Sequence, residues 1–422
     1  MKTKPILLMM VIALMTFSCT DNEAFRDVIV AKPLTIKKST LKGEVTVIAP
    51  TEIKTSGKIY AYKNYVFVND LFEGIHVIDN TIPAAPQKIA FIEIAGNVDI
   101  SIKDDFLYAD NLTDLIVLDI SDIQNIQTVN RLENVLEGNF WALPEVNFQT
   151  PVQADFFDYS GVDFENDVII GWETRVERRP VEEVNAFFDN AEGDIAAPAI
   201  ADNPSTVGQG GSLARFVIAK NHLYAVGSHT ISTFDIENLE APQAKEQVYA
   251  GFDIETIFNR GEHLFLGSQR GMYIYDISSP ATPTFVSEFQ HGTACDPVVV
   301  DGDYAYVTLR GGNNCGATES GLFIVDISDI TQPTLKTSYP MDSPYGLGIR
   351  DEKVFVCDGA SGLKVYDKTD VENLLLLDHF ENIDTFDVIP RSESLLMIGA
   401  GILYQYRYLE NTIELISELP LQ

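Results

Sequence analysis

Leu322-Phe-Ile-Val-Asp326, followed by Ile327-Ser328, is the stretch that decides the fold. It is a strand-length apolar block closed by an acidic residue, and it recurs. Ile75-His-Val-Ile-Asp79, Leu115-Ile-Val-Leu-Asp119, Ile231-Ser-Thr-Phe-Asp235, Met272-Tyr-Ile-Tyr-Asp276 and Leu363-Lys-Val-Tyr-Asp367 share the form, and Leu403-Tyr-Gln-Tyr-Arg407 is a degenerate seventh copy. The closing residues are separated by 40, 116, 41, 50, 41 and 40 positions. A period near 40 with one long and one short insertion is the signature of a repeat architecture, not of the two or three domains that this length otherwise suggests.

Each period holds four β-patterned runs. In the fifth copy these are Asp296 to Val300, Tyr304 to Leu309, Leu322 to Ile327 and Thr334 to Tyr339. Asp301-Gly302-Asp303 joins the first two with hairpin chemistry, because glycine accepts the positive φ of a tight turn. Asp326-Ile-Ser with Pro333 a few residues on ends the third run in a turn. Four antiparallel strands per period, repeated seven times, predict an all-β chain folded as a seven-bladed β-propeller with one long inter-blade insertion. A β-solenoid is the rival, but its rungs are usually shorter. The expected organisation is 1–18 signal peptide, 19–56 N-terminal tether with a closing strand, and 57–422 propeller interrupted by an insertion over 136–211. Within the tether, Leu41 to Ala49 is the strand candidate for closing the ring.

Gly74-Ile-His-Val-Ile-Asp-Asn80, Leu107-Tyr-Ala-Asp110, Gly211-Ser-Leu-Ala-Arg-Phe216, Gly271-Met-Tyr-Ile-Tyr-Asp276, Cys295-Asp-Pro-Val-Val-Val-Asp301 and Tyr306-Val-Thr-Leu-Arg310 resemble the LVIVD-repeat β-propeller lipoproteins of Gram-negative bacteria. The resemblance runs from about Gly57 to the C-terminus. It implies a propeller at the cell envelope, and it brings no defined activity with it.

The N-terminus agrees with that compartment. Lys2 and Lys4 precede an apolar run from Ile6 to Phe17 and then Ser18-Cys19. The run is far shorter than the ~20 residues of a membrane span, so it reads as a secretory signal. Cys19 resembles a lipidation cysteine, although Thr16 stands where Leu is usual. Thr20-Asp-Asn-Glu23 resembles the short acidic tag that sends some lipoproteins to the cell surface. The expected partner is therefore the outer membrane, through a lipid anchor. The whole chain has a formal charge of −33, and removing residues 1–18 leaves 27 basic against 62 acidic side chains. Nucleic acid is excluded, because phosphate binding needs the opposite sign.

In a four-stranded meander the connections after strands two and four share one face. The long insertion, about Leu136 to Gly211, and the short one, Gly311 to Ser320, both fall there, making it the expected binding face for a protein or glycan. The long insertion has fifteen acids against Arg175, Arg178 and Arg179. Within it Asp167 to Trp172 reads as a strand, and Asp189 to Gly211 as a coil or mobile loop. Cys295 and Cys315 approach on this face and are expected to pair as a disulfide in an oxidising compartment. Cys357 reads as a buried apolar residue.

Aligned repeats place Gly57, Val98 or Asp99, Ala214, Glu255, Asp296, Tyr345 and Asp387 at the channel mouth. Its carboxylates are candidates for Ca²⁺ or for pairing with Arg215, Arg260 or Arg310, and no other cofactor is expected. With Trp172 and His291, the residues Asp99, Arg215, Glu255, Asp296, Arg310, Tyr345 and Asp387 form the candidate ligand set. The six histidines are scattered, and neither a His-Glu-x-x-His nor a Gly-x-Ser-x-Gly motif occurs. The reading is a non-catalytic recognition or scaffold propeller. The alternatives are an extracellular carbohydrate-active enzyme using paired channel carboxylates and a purely structural envelope protein.

Overall fold

Blocks such as Leu115-Ile-Val-Leu118 are apolar without a break, as suits strands buried on both faces. In the computed structural model, which describes residues 25–136, 154–180, 207–252, 254–290, 297–311 and 320–422, each such block is the third strand of a four-stranded antiparallel meander; the first meander gains a strand on each edge, and the fourth strand of the third is split in two. Among the described residues seven of these sheets follow one another along the chain, with strands paired in sequence order. Their innermost strands are Ser56–Tyr62 (sheet I), Ile100–Lys103 (II), Phe216–Ala219 (III), Ile254–Arg260 (IV), Val298–Asp301 (V), Leu347–Arg350 (VI) and Asp387–Pro390 (VII). Outermost strands such as Thr334–Pro340 and Ile413–Pro420 are largely exposed.

The acid that closes the block has a local role. Asp79, Asp119, Asp276, Asp326 and Asp367 each accept the backbone N–H of the Ser or Thr two residues on, at 2.8–3.0 Å. These are Asx turns that redirect the chain into the fourth strand. Hydroxyl and amide bonds from that same residue hold the Asp79, Asp119, Asp326 and Asp367 carboxyls below their ordinary range. In sheet VII, Arg407 occupies the position and pairs with Glu414 instead. A bulge recurs between the third and fourth strands, as at Val77/Ile78, Ile274/Tyr275, Ile324/Val325 and Gln405/Tyr406. Each bulge adds twist to its sheet.

A separate apolar cluster fills each gap between consecutive sheets. A seventh joins sheet VII to sheet I through Ile398 and Leu403 against Ile59 and Val66. Tyr108 and Tyr224, both fully buried, cross these gaps and donate to Leu239 O (3.0 Å) and Pro280 O (2.8 Å) of the next sheet. That satisfies the hydroxyl each ring brings into the core. Innermost strands of successive sheets lie against one another, and that of VII lies against that of I. Sheets I and VII share no strand. They meet through a buried reciprocal amide pair, Asn80 with Gln405 (3.0 and 2.7 Å), and through Ile53 N–H to Leu421 O (2.9 Å).

The tether differs from expectation. Phe25–Lys37 is a long strand that pairs antiparallel with Asp167–Pro180 of the insertion, and Phe156–Phe157 adds a third strand. Leu41 to Ala49 is not a ring-closing strand. It contains the end of a short helix, Lys38–Leu41, and then Thr46–Ile48, which pairs with Gln87–Glu93 on the outer edge of sheet I.

Candidate functional site

Antiparallel pairing puts the start of each innermost strand beside the end of its second strand, as Ile100 beside Ala109. Carboxylates at these second-strand ends hold the connection that leads into the innermost strand. Asp110 accepts the N–H groups of Val98 (2.7 Å) and Asp99 (2.9 Å). Asp70 accepts those of Lys54 and Thr55, and Asp358 those of Asp342 and Ser343. In sheet IV Ser268 ends the second strand, and its hydroxyl instead accepts the Arg270 and Gly271 amides of the turn into the third strand. The sequence reading missed this set; its trace was an acid ending the second strand, as in Val68-Asn-Asp70, Tyr108-Ala-Asp110 and Val356-Cys-Asp358.

At the centre lies a buried charge cluster. Lys58 Nζ bonds Asp99 Oδ2 at 2.9 Å, with both side chains almost inaccessible. Asp99 also accepts the amides of Ile100 (2.7 Å), Phe216 (3.3 Å) and Arg215. Burial lowers the Lys58 pKa against the pull of Asp99. It also lowers that of Arg215, against Asp110, Asp99 and Glu255. Burial pushes Asp110 up to about 6 and Asp387 up to about 7. Arg215 Nη2 has no hydrogen-bond partner. A cavity of about 20 Å³ between Asp99, Asp110, Leu112 and Arg215 has room for one water there.

The space among the innermost strands is not open. The returning end of the insertion bonds to five of them: Gly208 N–H to Ile102 O (2.9 Å), Gln209 and Gly210 in register with Ala61 and Tyr60, Gln209 Nε2 to Pro390 O (3.1 Å), Leu347 N–H to Ser212 Oγ (2.8 Å) and Ile257 N–H to Ala214 O (2.9 Å). Val207 bridges to Lys103. Glycine is what lets a chain pass here. A methyl group on Gly208 would overlap the Tyr60 ring, and one on Gly211 would overlap the Asp387 carboxyl. The expectation that the whole insertion sits on one outer face is thus corrected for residues 207–214.

The rest of the described insertion does lie on that face. Ile36, Leu41, Val168 and Ile170 pack on Leu71, Phe72, Val98 and Leu112 from the connections of sheets I and II. Asn111 Nδ2 and Arg131 Nη1 both donate to Leu41 O, and Lys42 Nζ bonds Asp114 at 2.8 Å. Trp172 sits farther out on this ribbon, edge-to-face with Phe157 (5.0 Å) and Tyr159 (5.4 Å).

Of the predicted ligand set, Asp99, Arg215 and Asp387 gather at the centre. Glu255 faces Arg215 electrostatically and accepts from Gln269 Nε2 at 3.0 Å. Arg310 stacks over Tyr345 at 4.1 Å. Arg260, by contrast, pairs with Asp301 (3.6 Å) at the far ends of the innermost strands. Trp172 is on the ribbon, apart from the channel. Cys19, His291, Cys295, Asp296 and Cys315 lie outside the described residues. Among the described residues no three acids, histidines or cysteines converge as a metal site, and Asp99 is committed to Lys58. Cys357 is fully buried, which pushes its thiol well up.

The LVIVD-repeat family model matches residues 95–131, 257–290 and 291–340. Among curated proteins no sequence relative is found. Similar solved structures include a candidate 6-phosphogluconolactonase from Bacteroides fragilis, 8% identical, covering 88% of this chain and 97% of that one at TM-score 0.51. BamB from Moraxella catarrhalis is 8% identical over 90% and 99% of the two chains at 0.47. Hsv2p from Kluyveromyces lactis is 10% identical over 87% and 99% at 0.47. With the LVIVD matches and the four-stranded sheets, the fold is of the β-propeller kind, and identities this low speak to fold alone.

Proposed function

We propose that this chain is a cell-envelope lipoprotein whose sheets close into a seven-bladed propeller, and that the propeller carries a recognition surface for a protein or glycan. The observation that carries the reading is the three-stranded ribbon. The N-terminal strand and the insertion, 130 residues apart in sequence, combine into one platform seated on the connections of sheets I and II. The cyclic packing of innermost strands and of apolar clusters supports ring closure. Phe157, Tyr159 and Phe164 are 40%, 45% and 61% exposed on the ribbon, and aromatic rings of this kind favour interfaces. The channel carboxylates argue against catalysis: Asp99 is held by Lys58 and three amides, and Asp387 is covered by the chain's own Gly211. A glycosidase pair would need both acids open to substrate.

Five residues separate Cys19 from the strand that starts at Phe25, a reach of at most roughly 20 Å. Lipid on Cys19 therefore holds the ribbon near the outer membrane surface. Fatty-acid labelling of the wild type and not of Cys19→Ser, with external protease reaching the protein on intact cells, is the expected result. The recognition test is a glycan array and cross-linking on intact cells with the wild type and a Phe157→Ser, Tyr159→Ser, Phe164→Ser variant. Binding lost in a variant of unchanged melting temperature supports the assignment; binding retained at wild-type strength rejects it.

A further inference from the structure

Asp387 opens the innermost strand of sheet VII and is fully buried. Its Oδ1 accepts the Val388 N–H at 2.9 Å, while Oδ2 has no hydrogen-bond partner. The Ser212 amide faces the carboxyl without good hydrogen-bond geometry. Gly211 packs on one side and Gly346 on the other, so closely that a methyl on either would overlap the carboxyl. Few arrangements leave an acid with so little to solvate its charge.

The charged and titratable groups that face it are Lys58 from sheet I, Asp99 from sheet II and the Cys357 thiol from sheet VI. Lys58 is engaged by Asp99 at 2.9 Å, and the thiol is kept protonated by burial. The 207–212 segment brings no charge of its own, and the connection that ends at Gly346 carries one acid, Asp342, which is exposed and accepts from Ser361 Oγ at 2.7 Å. A carboxylate at this position can gain water only if Gly211 and Ser212 move away.

We propose that seating of the 207–212 segment in the channel is proton-linked through Asp387: the segment is docked while the carboxyl is neutral and loosens when it ionises. On ionisation the proton goes to solvent and the carboxylate draws in water at the Gly211 contact. The Ser212 Oγ bond to Leu347 N–H and the pairing of Gln209 and Gly210 with Ala61 and Tyr60 are what must then break. The channel passes from filled by the chain itself to accessible.

The sign follows from linkage. The docked state keeps its proton up to about 7, whereas a solvated Asp ionises near its ordinary value of 3.8. The docked state thus binds more protons between these values, and opening is favoured as pH rises through that window. Hydrogen exchange by mass spectrometry on the full chain, corrected for intrinsic rates, reads the opening. Across amides 207–214 the opening constant is expected to rise about fiftyfold from pH 5 to pH 7 and to level off above about pH 8. Amides of Ser394–Gly399 report global unfolding and stay far better protected than 207–214 at every pH, even as global stability falls. Asp387→Asn removes the rise. Flat protection of 207–214 in the wild type overturns the proposal whether or not the variant folds, and so does a rise that persists in Asp387→Asn.

Discussion

Gly211→Ala is the most direct perturbation of the filled channel. The added methyl would overlap the Asp387 carboxyl, which Val388 N–H fixes and which Gly346 backs from the other side. The segment cannot easily retreat: Ser212 Oγ accepts from Leu347 at 2.8 Å, and Ala214 N–H returns to Gly211 O at 3.2 Å. Overpacking of such a site costs about 1–3 kcal/mol. An unfolding entropy of about 2 cal/mol/K per residue, summed over roughly 400 residues, converts that to a drop of about 1–4 °C in melting temperature. Gly171→Ala is the control, since its methyl would come no closer than 3.6 Å to Leu34 Cδ1. Calorimetry at pH 6, together with hydrogen exchange over 207–214, reads the effect. Loss of protection concentrated on that segment is expected. A Gly211→Ala protein with wild-type melting temperature and wild-type protection there would show that the segment does not lie against Asp387.

Lys58→Met strands the buried Asp99 carboxylate and should cost about 3–5 kcal/mol by chemical denaturation; a loss below 1 kcal/mol would mean that the pair is solvated. Asp326→Ala removes the bonds from the Ser328 amide (3.0 Å) and hydroxyl (2.6 Å) and should cost about 1 kcal/mol; a cost at the other Asx-turn acids but none at Asp326 would break the repeat logic. Ionised Asp387 is a burden on the folded state, so wild-type stability falls as pH rises from about 4 to 7. Asp387→Asn escapes this, and its advantage, compared at pH 5 and pH 8, should grow toward an upper limit of roughly 4 kcal/mol; an advantage independent of pH would refute the assignment.

The third strands were legible because burial on both faces writes a continuous apolar block, and the acid after each block is the turn that follows it. Second strands were legible for the same reason. Tyr108 and Tyr224 carry a polar atom into the core, but their partners, Leu239 O and Pro280 O, are main-chain groups that no side-chain pattern announces. Gly302 (φ 56°) advertised its hairpin, whereas Lys63 (49°), Asn221 (58°) and Asp351 (51°) turn the same corner without glycine. The ribbon was half legible. Asp167 to Trp172 read as a strand, yet its partner Phe25–Lys37 is set by tertiary pairing across more than a hundred residues. Val207-Gly-Gln-Gly-Gly-Ser212 read as coil or mobile loop from composition, and small residues without side-chain bulk are also what a crowded channel selects. Asp99 and Asp387 emerged from repeat alignment, and Arg215 as a pairing candidate for such carboxylates. Lys58 did not, because its role depends on a neighbour in the next sheet.

Electron density for the channel in a crystal structure of the full chain at pH 6 tests the central claim most directly. The account predicts seven sheets in a closed ring, residues 207–212 lying along Ser56–Tyr62 with Gly211 against Asp387, and the Phe25–Lys37 ribbon seated over sheets I and II. An empty channel, or a ring of six or eight sheets, would contradict it.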